Sequence, residues 1–142
     1  MKKKVLFLCT HNSARSQMAE GLLNTLYGET YQAYSAGTQP VSTVNPYAVK
    51  VMKEIGIDIS DRRPKNRDEF RGIFFDYVIT VCDNAREACP FFPGGQTIHK
   101  SFEDPSSFSG SEDEILGSFR RLRNEIKDWI ESIFIKKNSK IL

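Results

Sequence analysis

The stretch "LFLCTHNSARSQMAEG", from Leu6 to Gly21, decides the fold of this chain. Its first residues are apolar and compact, as in a buried β-strand, and its last residues carry apolar side chains at helical spacing. Between them lies a short polar loop that starts with Cys9 and ends with Arg15. A backbone turn requires neither a thiol nor a guanidinium at these places, so the pair indicates chemistry.

The rest of the chain alternates short strand-like and helical patterns. This alternation predicts a parallel sheet with helices on both faces, joined by right-handed crossovers. Ligands of such sheets bind beyond the carboxyl ends of the strands, where Cys9 and Cys82 both stand. We therefore predict one α/β domain, residues 1–142, with a site at that edge. Strands are predicted at 4–9, 31–35, 76–82 and 96–99, and helices at 16–27, 46–55 and 110–134.

Composition excludes several classes of function. The formal net charge of +2 is too small to argue for a nucleic-acid or membrane-surface partner. The longest apolar runs are far shorter than a membrane span. The start "MKKKVLFLC" imitates a signal peptide, but its apolar part is too short and no cleavage site follows. We expect a cytoplasmic monomer that binds neither nucleic acid nor membrane.

The chain has three cysteines: Cys9, Cys82 and Cys89. An odd number does not suit a structural disulfide framework, and cytoplasmic thiols are normally kept reduced. A zinc site needs paired short spacings, which these cysteines and the two histidines, His11 and His99, lack. We predict no bound metal. At each position the alternative is a buried, inert cysteine.

The loop from Cys9 to Arg15 has the features of an anion site. A loop entering a helix points unpaired N–H groups at one spot, where the helix dipole favours negative charge. Arg15 can grip two oxygens of a tetrahedral oxyanion. The same field predicts a pKa of the Cys9 thiol below its ordinary value of about 8.5, and Ser16 can donate a hydrogen bond to the sulfur. The alternative is a turn with a buried cysteine and a surface arginine. The predicted oxyanion-binding residues are Thr10, His11, Asn12, Ser13, Ala14, Arg15 and Ser16.

The segment "CTHNSARSQMAEG" resembles the phosphate-binding loop of the low-molecular-weight protein tyrosine phosphatase family, in which five residues separate a nucleophilic Cys from Arg and Ser. The later segments "YSAG", "VNPYAV", "MKEIGIDIS" and "VITVC" resemble its thioredoxin-coupled arsenate reductase branch, so that the resemblance covers residues 4–133. It implies a three-layer sandwich whose four-stranded parallel sheet has the flavodoxin-like order 2-1-3-4.

The resemblance implies an oxidoreductase of arsenical resistance, which reduces arsenate to arsenite and also accepts phosphate or sulfate as analogues. Reduction takes two electrons, so a nucleophilic thiol needs a second thiol nearby to end as a disulfide. In this reading Cys82 and Cys89 carry the disulfide away from Cys9, and reduced thioredoxin, not a bound cofactor, supplies the electrons. Asp104 is the implied general acid, with Glu103 as its rival. The implied catalytic residues are Cys9, Arg15, Cys82, Cys89 and Asp104.

The spacing of the last two cysteines predicts a rearrangement. If the residues between Cys82 and Cys89 are helical, their Cα atoms lie roughly 10 Å apart. A disulfide tolerates about 4.4–6.8 Å. We therefore expect this segment to unwind on oxidation.

The chain departs from its relatives at several positions. Some relatives bind potassium with residues that correspond to Asn12, Glu20 and Ser35 and with an acidic residue, where this chain has Lys65. We expect the Lys65 ammonium to take the cation's place. His11 replaces a common glycine; if the backbone there needs a positive φ, histidine is among the tolerated residues.

Two other functions remain open. A low-molecular-weight tyrosine phosphatase would use Cys9, Arg15 and Asp104 through a phosphocysteine. Against it, "DPSS" lacks the tyrosine that follows Asp-Pro in tyrosine-specific members, and Cys82 and Cys89 would be idle. Some phosphatase activity is still expected, because phosphate and arsenate share shape and charge. The second alternative is a noncatalytic module that only binds an anion.

Overall fold

The computed structural model describes residues 2–82 and 94–135. The described residues form four strands and three α-helices, at the places in the chain where the sequence predicts them. The strands are β1 Lys3–Cys9, β2 Tyr31–Gly37, β3 Phe75–Thr80 and β4 Gly94–His99, and the helices are α1 Arg15–Tyr27, α2 Pro46–Lys53 and α3 Glu112–Ile130. Short 3-10 turns span Arg67–Phe70 and Pro105–Ser107, and a π-helical turn spans Glu131–Ile135.

The four strands form one parallel sheet in the order β2-β1-β3-β4, which confirms the predicted topology. β1 pairs with neighbours on both sides, and its residues from Val5 to Leu8 are completely buried. At its carboxyl end Cys9 lies opposite Gly37 of β2, while Leu8 lies opposite Thr80 of β3. The ends of three strands therefore meet around Cys9.

Several boundaries differ from the prediction, and two of them bear on the site. β2 continues to Gly37 because its pairing with β1 extends to the last residue of that strand. β3 ends at Thr80 instead of Cys82, although the N–H of Val81 still donates to the carbonyl of Leu8 (2.9 Å). Cys82 thus lies just beyond the strand, at the same edge of the sheet as Cys9.

Helix α3 forms as its sequence predicts. Ser111 accepts from the N–H of Glu114, whose side chain accepts in return from the N–H of Ser111, and this capping box starts the helix. Within α3, Arg123 is buried and donates to the carbonyl of Val51 at the end of α2 (2.8 Å). In the part of the chain that the structure describes, no helix is long and apolar enough to cross a membrane.

Gly37 brings β2 unusually close to the loop that follows β1. A Cβ atom at this position would lie 2.6 Å from the carbonyl oxygen of Thr10, which is shorter than van der Waals contact allows. Only glycine permits this approach. The close passage positions residues 38–45, the bracing segment, along the outside of the loop.

Candidate active site

The loop between Cys9 and Arg15 turns sharply at the carboxyl edge of the sheet. Asn12 has a φ of 53°, in the left-handed region where asparagine is enriched among non-glycine residues. The positive φ considered for His11 therefore falls on Asn12 instead. Gln17 of α1 holds this turn, because its Nε2 donates to both the carbonyl and the side-chain oxygen of Asn12 (3.2 and 3.0 Å). The sequence indicated no such role for Gln17.

The bracing segment turns the carbonyl groups of the loop outward. Four of its N–H groups donate to loop carbonyls, at 2.8–3.2 Å. Since the C=O and N–H groups of a trans peptide point in opposite directions, the loop N–H groups face inward. The pairs are Thr38 with Cys9, Gln39 with Thr10, Val41 with His11 and Asn45 with Ser13.

A cavity of about 90 Å³ lies inside the loop. Helix α1 starts at its floor without a side-chain cap at Ala14 and without an acidic residue in the first turn. The first N–H groups of this helix therefore offer their hydrogens to an anion, which the helix dipole also favours. The lining residues are Cys9, His11, Ser13, Ala14, Arg15, Asn45, Asp104, Pro105 and Ser106.

Arg15 and Asp104 come together at the cavity, as the sequence predicts. Arg15 is 8% exposed, donates from Nη1 to the carbonyl of Phe102 (3.3 Å) and approaches Asp104 Oδ1 with Nη2 (3.8 Å). Partial burial raises the pKa of Asp104, but hydrogen bonds from Ser106 and the charges of Arg15 and His11 outweigh it and lower the pKa below its ordinary value. The rival acid, Glu103, is not among the lining residues.

The sulfur of Cys9 lies in a network of donors. Ser16 Oγ lies 2.8 Å from Cys9 Sγ, and the N–H of Asn12 donates to the sulfur at 3.2 Å. Ser16 Oγ also accepts from Asn12 Nδ2 (2.7 Å), which leaves its own hydroxyl proton free to point at the sulfur. The predicted contact between Ser16 and Cys9 is thus present.

The predicted lowering of the Cys9 pKa is wrong for this structure. Burial raises the pKa of the Cys9 thiol and outweighs the hydrogen bond from Ser16 and the charge of Arg15, which lower it; the nearby Cys82 raises it further. Cys9 is 2% exposed. The desolvation that burial imposes on a thiolate is a tertiary effect, which loop spacing does not reveal.

Ser16→Ala is expected to slow the alkylation of Cys9 by iodoacetamide at neutral pH by about tenfold, because the thiolate loses a hydrogen bond. The measurement is the alkylation rate as a function of pH. Ser13→Ala changes another serine that lines the same cavity and serves as the matched control. Equal rates for Ser16→Ala and the wild type would show that Ser16 does not favour the thiolate.

A second buried thiol lies beside the loop. Cys82 is 3% exposed, its Sγ lies 3.4 Å from Thr10 Oγ1, and its proximity raises the pKa of Cys9. The structure therefore brings together two of the predicted redox cysteines. Cys89, and with it the prediction that the segment between Cys82 and Cys89 unwinds, lies outside the described residues.

Lys65 lies beside Glu20, which also forms an ion pair with Arg62. The Nζ atom of Lys65 is 3.7 Å from Glu20 Oε1, which also accepts a hydrogen bond from Ser35 Oγ (3.0 Å). The backbone N–H of Lys65 donates to Asn12 Oδ1 (2.9 Å). Burial and the charge of Arg62 lower the pKa of Lys65 to about 8, so the ammonium remains mostly charged at neutral pH. Among residues 2–82 and 94–135, no three His, Cys, Asp or Glu side chains converge as metal ligands.

The comparisons with known proteins agree with this geometry. An arsenate reductase of Halalkalibacterium halodurans is 44% identical over 126 residues, which are 88% of this chain and 90% of the relative. A solved arsenate reductase in the phosphate-binding state superposes with a TM-score of 0.77 at 33% identity, covering 94% of this chain and 98% of the other. A thioredoxin-dependent arsenate reductase of Corynebacterium glutamicum superposes with a TM-score of 0.68 at 31% identity, covering 95% of this chain and 63% of the other.

The family model described as low molecular weight phosphotyrosine protein phosphatase matches residues 4–140, nearly the whole chain. This match includes the loop, the bracing segment, Cys82 and Asp104. The relatives reported above, which carry the name arsenate reductase, align over most of the same length. The chain therefore belongs to the low-molecular-weight phosphotyrosine protein phosphatase family, and its similarity extends to the members named arsenate reductases.

Proposed function

We propose that this protein reduces arsenate to arsenite, with Cys9 as the nucleophile, Cys82 and Cys89 as a disulfide relay and reduced thioredoxin as the electron donor. The observation that carries the proposal is the second buried thiol. Cys82 lies against Thr10 at the rim of the loop, where hydrolysis of a phosphate ester has no use for it. Arsenate reduction needs such a thiol, because the nucleophile must end as a disulfide.

The first step joins Cys9 to arsenic. Hydrogen arsenate enters the cavity, where the inward N–H groups and the guanidinium of Arg15 hold its oxygens. The Cys9 sulfur attacks arsenic and gives up its proton, and Asp104 passes a proton to the departing oxygen, which leaves as water. The thiol proton and the arsenate proton both leave in that water. Cys9 then carries an arsenic(V) adduct.

The second step transfers the electrons. The Cys82 thiolate attacks the sulfur of Cys9, the electron pair of the sulfur–arsenic bond stays with arsenic, and arsenite leaves after protonation. Arsenic gains two electrons while the two sulfurs become a Cys9–Cys82 disulfide. Cys89 then attacks Cys82 and releases Cys9 as a thiolate, and the dithiol of thioredoxin reduces the resulting Cys82–Cys89 disulfide.

The size and lining of the cavity support a small inorganic substrate. Its described lining residues are small or polar side chains, with the imidazole of His11 as their only aromatic ring, whereas a phosphotyrosine side chain requires apolar walls. The family description still supports hydrolysis of aryl phosphates as a weaker second activity, because Cys9, Arg15 and Asp104 serve both reactions.

Two relatives support the choice of ligand and reductant. One solved arsenate reductase is described in a phosphate-binding state, and another is described as thioredoxin-dependent. A tetrahedral anion and a thiol–disulfide partner are the ligands that the cavity and the paired thiols require. A reducing cytoplasm, in which thioredoxin acts, is the proposed location.

The test is arsenate-dependent consumption of NADPH in the presence of thioredoxin and thioredoxin reductase. We expect consumption to stop when arsenate, thioredoxin or this protein is omitted. Hydrolysis of an aryl phosphate by the same preparation is measured in parallel. Hydrolysis without any arsenate-dependent NADPH consumption would favour the phosphatase and contradict the reductase.

Arg15→Lys is expected to lower kcat/KM for arsenate by about a hundredfold, because an ammonium cannot form the two parallel hydrogen bonds of a guanidinium. The measurement is steady-state reduction at varied arsenate concentration. Arg123→Lys changes an equally buried arginine outside the cavity and is expected to leave kcat/KM unchanged. Similar losses in both variants would indicate a general loss of stability instead.

A further inference from the structure

We propose that the imidazolium of His11 is a second cationic group for the oxyanion, which with Arg15 makes the cavity net positive and binds a doubly charged anion. This inference rests on the proposed role of the loop as an oxyanion site. It adds to that role a specificity-determining residue that acts through charge.

The geometry places His11 at the mouth of the cavity. Its side chain is exposed and lines the same space as Cys9, Arg15 and Asp104. Its carbonyl accepts from the N–H of Val41 (3.2 Å), which fixes the backbone and directs the residue along the rim. Because the positive φ of the loop belongs to Asn12, the backbone does not explain why a histidine stands here. We therefore look to the imidazole side chain for the role of this histidine.

The charges around the cavity nearly cancel without His11. Arg15 contributes one positive charge and Asp104 one negative charge, with Nη2 and Oδ1 only 3.8 Å apart. Burial raises the pKa of the Cys9 thiol, which favours its neutral form. The formal charges of the three groups then sum to zero, so a positive charge on His11 would add to the partial positive charge of the inward N–H groups.

His11 already interacts electrostatically with the opposite side of the cavity. Its charge is one of the causes that lower the pKa of Asp104, so the two side chains act on each other across the opening. A protonated His11 thus offsets the repulsion that the Asp104 carboxylate exerts on an anion.

Among residues 2–82 and 94–135, the elements that border the cavity supply no competing titration near neutral pH. The bracing segment contains no ionisable side chain, and α1 contributes Arg15, which stays charged. The segment around Asp104 also carries Lys100 and Glu103, neither of which lines the cavity. Histidine is the side chain whose ordinary charge change falls between about pH 5 and 8. Among the described lining residues, His11 is the histidine.

The test uses sulfate, which remains a dianion at every pH used and undergoes no reduction. Its dissociation constant is measured by calorimetry on the reduced full-length protein at about pH 5.5 and about pH 8 and constant ionic strength. For the wild type we expect binding to weaken by about five- to tenfold at the higher pH. His11→Gln is expected to bind weakly at both pH values, and His11→Lys tightly at both.

His99→Gln replaces the chain's other histidine and is expected to follow the wild type. Wild-type affinity and pH dependence in His11→Gln would overturn the role of His11. A wild-type protein that bound no sulfate at either pH would instead contradict the oxyanion role of the loop, so the two failures are distinguishable. Arsenate KM in the same variants gives a second readout, which is expected to change while kcat stays within about twofold.

Discussion

Cys82→Ser is expected to abolish steady-state reduction of arsenate, by at least about a thousandfold, while hydrolysis of aryl phosphates stays within about twofold of the wild type. Without the second thiol, no thiolate attacks the Cys9 sulfur of the arsenic adduct. The adduct is instead hydrolysed back to arsenate. Serine is close to cysteine in size and offers a hydroxyl in place of the thiol that contacts Thr10, so the loop is expected to keep its shape.

Cys9→Ser is the matched variant, since it is expected to abolish both activities. The measurements are arsenite formation, quantified directly, and release of the aryl product from the same enzyme preparations. A Cys82→Ser variant that lost both activities would mean that Cys82 supports the loop structurally. A Cys82→Ser variant that kept both activities would show that Cys82 takes no part in the redox chemistry.

Cys89→Ser is expected to allow one turnover and no more. Arsenite release depends only on Cys9 and Cys82 in the proposed cycle, so a burst of about one arsenite per chain should appear without thioredoxin. The enzyme should then accumulate as the Cys9–Cys82 disulfide, because the disulfide cannot move to a sulfur that thioredoxin reaches. Rapid mixing followed by mass spectrometry of the alkylated protein measures both the burst and the disulfide.

The wild type under the same conditions is also expected to release one arsenite per chain, but to accumulate the Cys82–Cys89 disulfide. Added thioredoxin should restore turnover to the wild type alone. Sustained thioredoxin-linked turnover by Cys89→Ser would contradict the proposed disulfide relay. Absence of the burst would show that Cys89 acts earlier than proposed.

The strand–loop–helix unit around Cys9 was predictable because it depends on local pattern. Apolar residues before the loop, helical spacing after it, and the Cys and Arg at its ends lead to the observed positions of β1 and α1. The Ser111–Glu114 capping box is similarly local. The nearness of Cys9 and Cys82 followed from topology, because carboxyl ends of adjacent parallel strands meet at one edge.

Other parts of the site depend on contacts that leave no side-chain pattern. The bracing segment acts through backbone N–H groups, which every residue except proline carries. The sequence signals are Gly37, which precedes the segment and permits the close approach, and Asn45, which caps α2. The net effect on the Cys9 pKa depends on burial by the complete fold, so local reasoning gave the wrong sign.

The raised pKa of the Cys9 thiol has a consequence for its reactivity in a cell. Peroxides and electrophiles react with thiolates, and a neutral, buried thiol offers them little. The resting enzyme is therefore expected to react slowly with oxidants and electrophiles. The first nucleophile of the proposed cycle would then survive oxidative stress in its reduced form.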